Sequence, residues 1–145
     1  MIKLIRHAPS TFNQSGAKTR DAPIVDNKMA KNLHGDYDLV ICSTLKRARQ
    51  TLDESKIKYG HLIFTNLCRE YRDGNPVNLF EGESDDNLFE TEENLEARIK
   101  EFKVMLNELS KKYQKIAVIS HGVFMYFLTG HRFCNCEEFD YKLED

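Results

Sequence analysis

The feature that most limits how this chain can fold is a set of short apolar runs, each ending abruptly in polar residues. Residues 1–5 read as a buried strand, residues 37–42 as a second ending just before Ser43, residues 61–64 as a third, and residues 115–120 as a fourth that stops at His121-Gly122. Apolar runs this short are the length of strands, and those without polar alternation suit strands covered on both faces. Between them the apolar period lengthens to that of a helix. Residues 43–55 open on Ser43, a residue able to cap backbone N–H groups, and carry Leu45, Ala48 and Leu52 at helical spacing. Residues 91–113 form the longest periodic segment, with Leu95, Ile99, Phe102, Leu106 and Leu109 as its stripe. Residues 123–128 read as a buried helix running to Gly130, and residues 139–143 as a closing edge strand. Strands alternating with helices predict an α/β fold, a three-layer α/β/α sandwich with a mostly parallel central sheet and a C-terminal edge strand. Residues 69–84, which hold Gly74, Pro76 and Gly82, read as one long loop.

A length of 145 residues fits one domain spanning 1–145. With 41% hydrophobic and 30% charged residues the composition is that of a globular chain, and the mean hydropathy is −0.55. No apolar run approaches the roughly 18 residues of a membrane span. The opening stretch has too short an apolar segment for a signal peptide, so the expectation is a cytoplasmic protein with no membrane partner. A net charge of −2, from 21 basic and 23 acidic residues, gives no general field for nucleic acid. The acidic stretch 81–96 reads as a solvated loop and helix start. The four cysteines, Cys42, Cys68, Cys134 and Cys136, form no disulfide framework, and Cys134-x-Cys136 near His131 amounts to half a zinc site without a second ligand pair.

In a parallel α/β sheet, ligands bind beyond the carboxyl ends of the strands, where strand order reverses. The residues just past the first, second and fourth strands are Arg6-His7, 43–47 and His121-Gly122, and all should open onto one edge. Guanidinium groups fork onto phosphate oxygens with fixed geometry, which suits Arg6 and Arg47 to clamping a phosphoryl group. A neutral imidazole is a competent nucleophile, and nearby cations help keep it neutral. Gly122 would leave backbone N–H groups open at a helix start, a ready site for an anion.

These residues resemble the histidine phosphatase superfamily, also called the phosphoglycerate mutase-like family. The resemblance rests on Arg6-His7 after the first strand, Asn13 six residues beyond that histidine, and Ser120-His121-Gly122 before a helix. Its most specific piece is Ser43-Thr44-Leu45-Lys46-Arg47-Ala48-Arg49-Gln50-Thr51, close to the family's S-x-L-x-R-A-x-Q-T segment. Residues 68–74 resemble the segment carrying the family's acidic proton donor, and Gly82-Glu83-Ser84 its later G-E-S element. Carried over residue by residue, the resemblance implies that His7 is the nucleophile and forms a phosphohistidine, with no metal or other cofactor. Glu70 would be the general acid, Arg6, Arg47 and His121 would make the phosphate pocket, and Asn13 would contact phosphate or substrate. From the residues themselves, His121 is a second catalytic candidate, able to protonate the departing oxygen or orient the phosphoryl group, and Gly122 joins the phosphate-binding set. His34, His61 and His131 match no family position and read as structural or surface residues.

Two departures stand out. The family usually has glycine directly after the nucleophilic histidine where this chain has Ala8, so the loop must do without the positive φ that glycine permits. Pro9 then restricts Ala8 to extended geometry and removes a backbone donor. Thr44 stands where proline is common, and its hydroxyl is a candidate donor to phosphate or helix cap. The short chain has little to close over the site, which favours release of phosphate to water. The reading is therefore a phosphomonoesterase acting on a phosphorylated small molecule or a phosphoprotein. The alternatives are a phosphohistidine-type phosphatase, a phosphate-binding member that lost turnover through Ala8-Pro9, and a mutase. Substrate identity and oligomeric state leave no sequence signal.

Overall fold

The computed structural model describes residues 1–11, 22–71 and 90–143. Asn13, Gly82-Glu83-Ser84, most of the predicted loop 69–84 and the acidic stretch up to residue 89 lie outside the described residues.

Five strands, β1 (Ile2–Arg6), β2 (His34–Ser43), β3 (Lys56–Thr65), β4 (Ile116–Ser120) and β5 (Glu138–Tyr141), form one sheet in the order β3-β2-β4-β1-β5. Pairing is parallel except for the C-terminal β5, which runs antiparallel along β1 at the edge. The central strands bury both faces. Leu4, Leu39, Ile41, Ile116 and Val118 face one core, and Ile5, Val40, Cys42, Ala117 and Ile119 face the other. This period-two division leaves no polar face to place in water, which is why these segments read as unbroken apolar runs.

Each core is closed by helices. Helix α1 (Lys46–Glu54) lays Ala48 and Leu52 on the second core. Helix α2 (Glu92–Ser110) and helix α3 (Gly122–Thr129) cover the first. Thr91 caps α2 by accepting the Asn94 N–H at 3.1 Å, and Glu92 and Glu93 lie in its first turn, where the helix dipole favours acids. Phe102 of α2 meets Phe124 of α3 edge to face, with ring centroids 5.5 Å apart, and ties the two helices together.

Strands β2 and β3 are longer than the apolar runs predict. Their first residues, from His34 and Lys56 onward, pair with each other before β4 joins the sheet at Leu39. That two-strand extension is largely exposed, so backbone pairing rather than burial makes it, and composition does not reveal it. Ser43 lies at the end of β2 and does not cap α1, which begins beyond Leu45. On α3 only one side is buried: Phe124, Met125 and Leu128 face the core while Val123, Tyr126 and Phe127 are exposed.

Gly130 ends α3 at φ +81° and donates its N–H to the Tyr126 carbonyl at 2.7 Å. A Cβ there would meet nothing within 4 Å, so only backbone strain opposes a side chain. Gly130→Ala should lower the unfolding free energy by about 1 kcal/mol in urea titration, with no change in the denaturant slope.

Candidate active site

Strands β1, β4 and β2 end level with one another. Arg6 pairs with Ser120, and Cys42 with Ile119, so the residues that follow open onto the same edge. The His7 N–H extends the ladder by donating to the Ser120 carbonyl at 3.1 Å. The His7 and His121 rings then face each other with centroids 5.1 Å apart and planes tilted by 54°. Both histidines and Arg47 are buried. Arg47 arrives from the first turn of α1, which Leu45 anchors in the interior.

The partners of His7 decide its tautomer. Nδ1 lies 2.6 Å from the Ala8 carbonyl oxygen. A carbonyl only accepts, so the proton sits on Nδ1 and the Nε2 lone pair points away from the backbone. Arg47 donates its Nε–H to that Nε2 at 3.3 Å. Burial first, then the charge of Arg47 and, after the opposing Ala8 hydrogen bond, the charge of Arg6 leave the His7 pKa well below that of a free histidine. The ring is a neutral imidazole with a lone pair already lying against a guanidinium.

Ala8 fits because the loop does not need glycine. Among the described non-glycine residues only Cys136 has positive φ, so Ala8 stays in ordinary territory. Its N–H donates to Thr51 Oγ1 at 2.9 Å, and the Thr51 hydroxyl donates onward to the Arg47 carbonyl at 2.7 Å. Thr51 therefore ties the His7 loop to the helix that carries Arg47. Nothing in its spacing announces that role beyond its place at the end of the 43–51 segment.

A second clamp comes from residues 133–137. Arg6 donates NH1 to the Phe133 carbonyl at 2.7 Å and its backbone N–H to the Glu137 carbonyl at 3.2 Å. Asn135 donates Nδ2 to the His7 carbonyl at 3.0 Å, and the Cys136 N–H reaches the Arg6 carbonyl at 2.8 Å. Of the Cys-x-Cys pair, Cys136 thus serves the loop through its backbone N–H, while the Cys134 backbone bonds Glu137. His131 bonds Glu137 at 2.5 Å, and burial pushes the Cys136 thiol up to about 11. Gly122 matters here for space: a Cβ would stand 3.1 Å from Arg6 Nε.

His121 joins its Nε2 to Ser43 Oγ at 2.8 Å. Its pKa is lowered by burial first, then by Arg47, His7, Arg98 and Arg69. His121 Nδ1 and Arg6 Nε are buried without a hydrogen-bond partner among the described residues. Buried polar atoms in that state are expensive unless something binds there. Thr44 neither reaches into this space nor caps α1, since its hydroxyl donates to Asn66 Oδ1 at 2.6 Å.

Glu70 changes the picture drawn from sequence. Its Oε1 accepts the Phe124 N–H at 2.8 Å and the Tyr71 N–H at 2.9 Å, and its Oε2 accepts the Val123 N–H at 3.3 Å. The N–H groups of Val123 and Phe124, expected to lie open for an anion, are therefore occupied by this carboxyl group. Because α3 starts immediately after His121, the same contacts bring Glu70 to the site. The segment before it is held by Arg98 and Glu90, two buried residues of opposite charge that the sequence reading missed. Glu90 falls within the stretch read as solvated, and its burial corrects that reading. Their signal was position: Arg98 falls on the stripe between Leu95 and Phe102. Arg69, the first residue of the predicted loop 69–84, is instead buried near His121.

The chain has the fold of the histidine phosphatase superfamily. A candidate alpha-ribazole-5'-P phosphatase from Escherichia coli matches it at a TM-score of 0.62 and 23% identity, covering 88% of this chain and 76% of that one. The product of the open reading frame Rv3214 from Mycobacterium tuberculosis matches at 0.64 and 16% identity, covering 98% and 92%. A mutant phosphoserine phosphatase from Entamoeba histolytica, solved with phosphoserine, matches at 0.51 and 16%, covering 94% and 87%. No protein-family model matches the sequence, and no curated protein matches it.

The lowered histidine pKa values couple the site to stability. The unfolded chain takes up a proton at each histidine as pH falls below 6.5, and the native state refuses it, so stability is lost on acidification. The slope is at most about 1.4 kcal/mol per pH unit for each histidine. Urea unfolding between about pH 6.5 and 5.5 should show this loss, and His7→Gln should remove about half of the histidine contribution. A slope indifferent to His7→Gln would mean that His7 accepts its proton in the folded protein.

Proposed function

We propose that this chain is a phosphomonoesterase that works through a phosphohistidine on His7. The observation that carries the reading is the bond from His7 Nδ1 to the Ala8 carbonyl at 2.6 Å, which leaves Nε2 as a lone pair inside a buried cationic site. In the first step Nε2 attacks phosphorus and the bond to the leaving oxygen breaks. Glu70 gives that oxygen a proton from Oε2, while Oε1 continues to accept from Tyr71 and Phe124. In the second step water attacks the phosphohistidine, Glu70 takes a proton from that water, and inorganic phosphate departs with His7 regenerated.

Arg6, Arg47 and His121 hold the phosphoryl oxygens in this scheme, with Asn13 joining them from outside the described residues. Arg6 Nε and His121 Nδ1 support that role, because phosphate oxygens would supply the partners they lack. Proton donation matters most for a poor leaving group, so the favoured substrates are oxygen esters, on a small molecule or a protein side chain, rather than phosphoramidates. Among the described residues no helix is long and apolar enough to cross a membrane. All four cysteines are free thiols, which supports a reducing, cytoplasmic setting.

Incubation with a labelled phosphomonoester and a quench in base should trap an adduct that survives base and is released by acid. His7→Ala should abolish the adduct and lower turnover by about a thousand-fold or more, with chelator leaving the wild type unaffected. Turnover that persists in His7→Ala would sink the mechanism.

A further inference from the structure

We infer that Arg98 is a positioning residue for proton transfer, fixing the short segment from which Glu70 reaches the site; the inference rests on Glu70 being the proton donor proposed above. Arg98 lies on the core face of α2, whose Leu95, Ile99 and Phe102 are also buried, and it is 4% exposed. A buried ion pair is a poor source of stability compared with well-packed apolar residues, so its presence there asks for another explanation. The answer lies in what its donors hold. Nε and NH2 fork onto Glu90 at 2.7 and 2.8 Å. NH1 donates to the carbonyls of Leu67 at 2.7 Å and Arg69 at 2.8 Å, and NH2 reaches the Glu70 carbonyl at 3.5 Å.

The one carbonyl of this run that Arg98 does not hold, that of Cys68, accepts from Ser120 Oγ at 2.6 Å. Side chains of α2 and β4 thus grip every carbonyl from Leu67 to Glu70, a segment outside the sheet ladder. The Arg98 guanidinium also lies 4.8 Å from the centroid of the Phe124 ring, and Phe124 is the residue whose N–H donates to Glu70 Oε1. One side chain therefore fixes both the backbone that presents the carboxyl group and the helix turn that orients it. Glu90 in turn holds the guanidinium in the plane that makes this possible. A misplacement of about 1 Å at a reacting group lowers rate by about a hundred-fold, so a loosened segment should show in the step that needs the proton.

Leaving-group dependence tests this. Phenyl phosphate needs a proton on its departing oxygen, whereas 2,4-dinitrophenyl phosphate leaves without one. kcat/KM for both covers only the steps up to phosphohistidine formation. Arg98→Met should lower kcat/KM for phenyl phosphate about 10- to 100-fold more than for the dinitrophenyl ester. Glu70→Gln should give the same skew, and the double variant should add little to it. Equal losses on both esters in Arg98→Met, with the skew intact in Glu70→Gln, would reduce Arg98 to a packing residue and overturn the inference alone. No skew in Glu70→Gln, with His7→Ala inactive, would overturn the proton-donor role and the positioning role with it. If Arg98→Met fails to fold, Glu90→Gln is held to the same criterion, because it keeps the shape of the fork and removes the charge that holds it.

Discussion

The site depends on the parallel pairing of β1 with β4. Register alone brings two histidines that stand far apart in sequence to the same end of the sheet, and the ladder continues one residue further through His7 into Ser120. A slip of one residue would turn His7 to the opposite face, because side chains alternate along a strand. The apolar cores on both faces fix that register, since Leu4 belongs to one core and Ile5 to the other. Packing of ordinary aliphatic side chains therefore sets the geometry of the chemistry.

Helices then tune what the sheet has positioned. Helix α1 delivers Arg47 and, one turn later, Thr51, which holds the Ala8 N–H. That contact keeps the Ala8 carbonyl where His7 Nδ1 can donate to it. Helix α2 supplies Arg98, and helix α3 supplies the turn that receives Glu70. Burial and neighbouring arginines act in one direction on both histidines, keeping them neutral in a site rich in positive charge. Such a site suits a dianion, whose charge the guanidiniums balance while the imidazole remains a nucleophile.

Much of this was legible in the sequence because burial on both faces writes itself as continuous apolarity. The strands around Leu39 and Val118 are plain for that reason, and Arg6-His7 and His121 stand out because each follows such a run. The parts hidden in sequence depend on partners that no local pattern encodes. The early residues of β2 and β3 are mostly polar and exposed, and their pairing makes them strands. Arg98 and Glu90 look like two more charges in a charged region until the helix buries one against the other. Residues 133–137 show cysteines to the eye, while their function lies in backbone groups and the Asn135 side chain, which meet Arg6 and His7. Ala8, a departure beside the nucleophile, proves to be held by Thr51 at a φ that does not require glycine.

The central claim is that the fold itself holds His7 as a neutral imidazole with its proton on Nδ1. Nitrogen-15 correlation spectra of the His7 ring near pH 6 measure this directly, because protonated and unprotonated ring nitrogens differ widely in shift. The account predicts an unprotonated Nε2 and a protonated Nδ1, with no titration as pH is lowered through the ordinary histidine range. A proton found on Nε2, or an imidazolium at that pH, would contradict it.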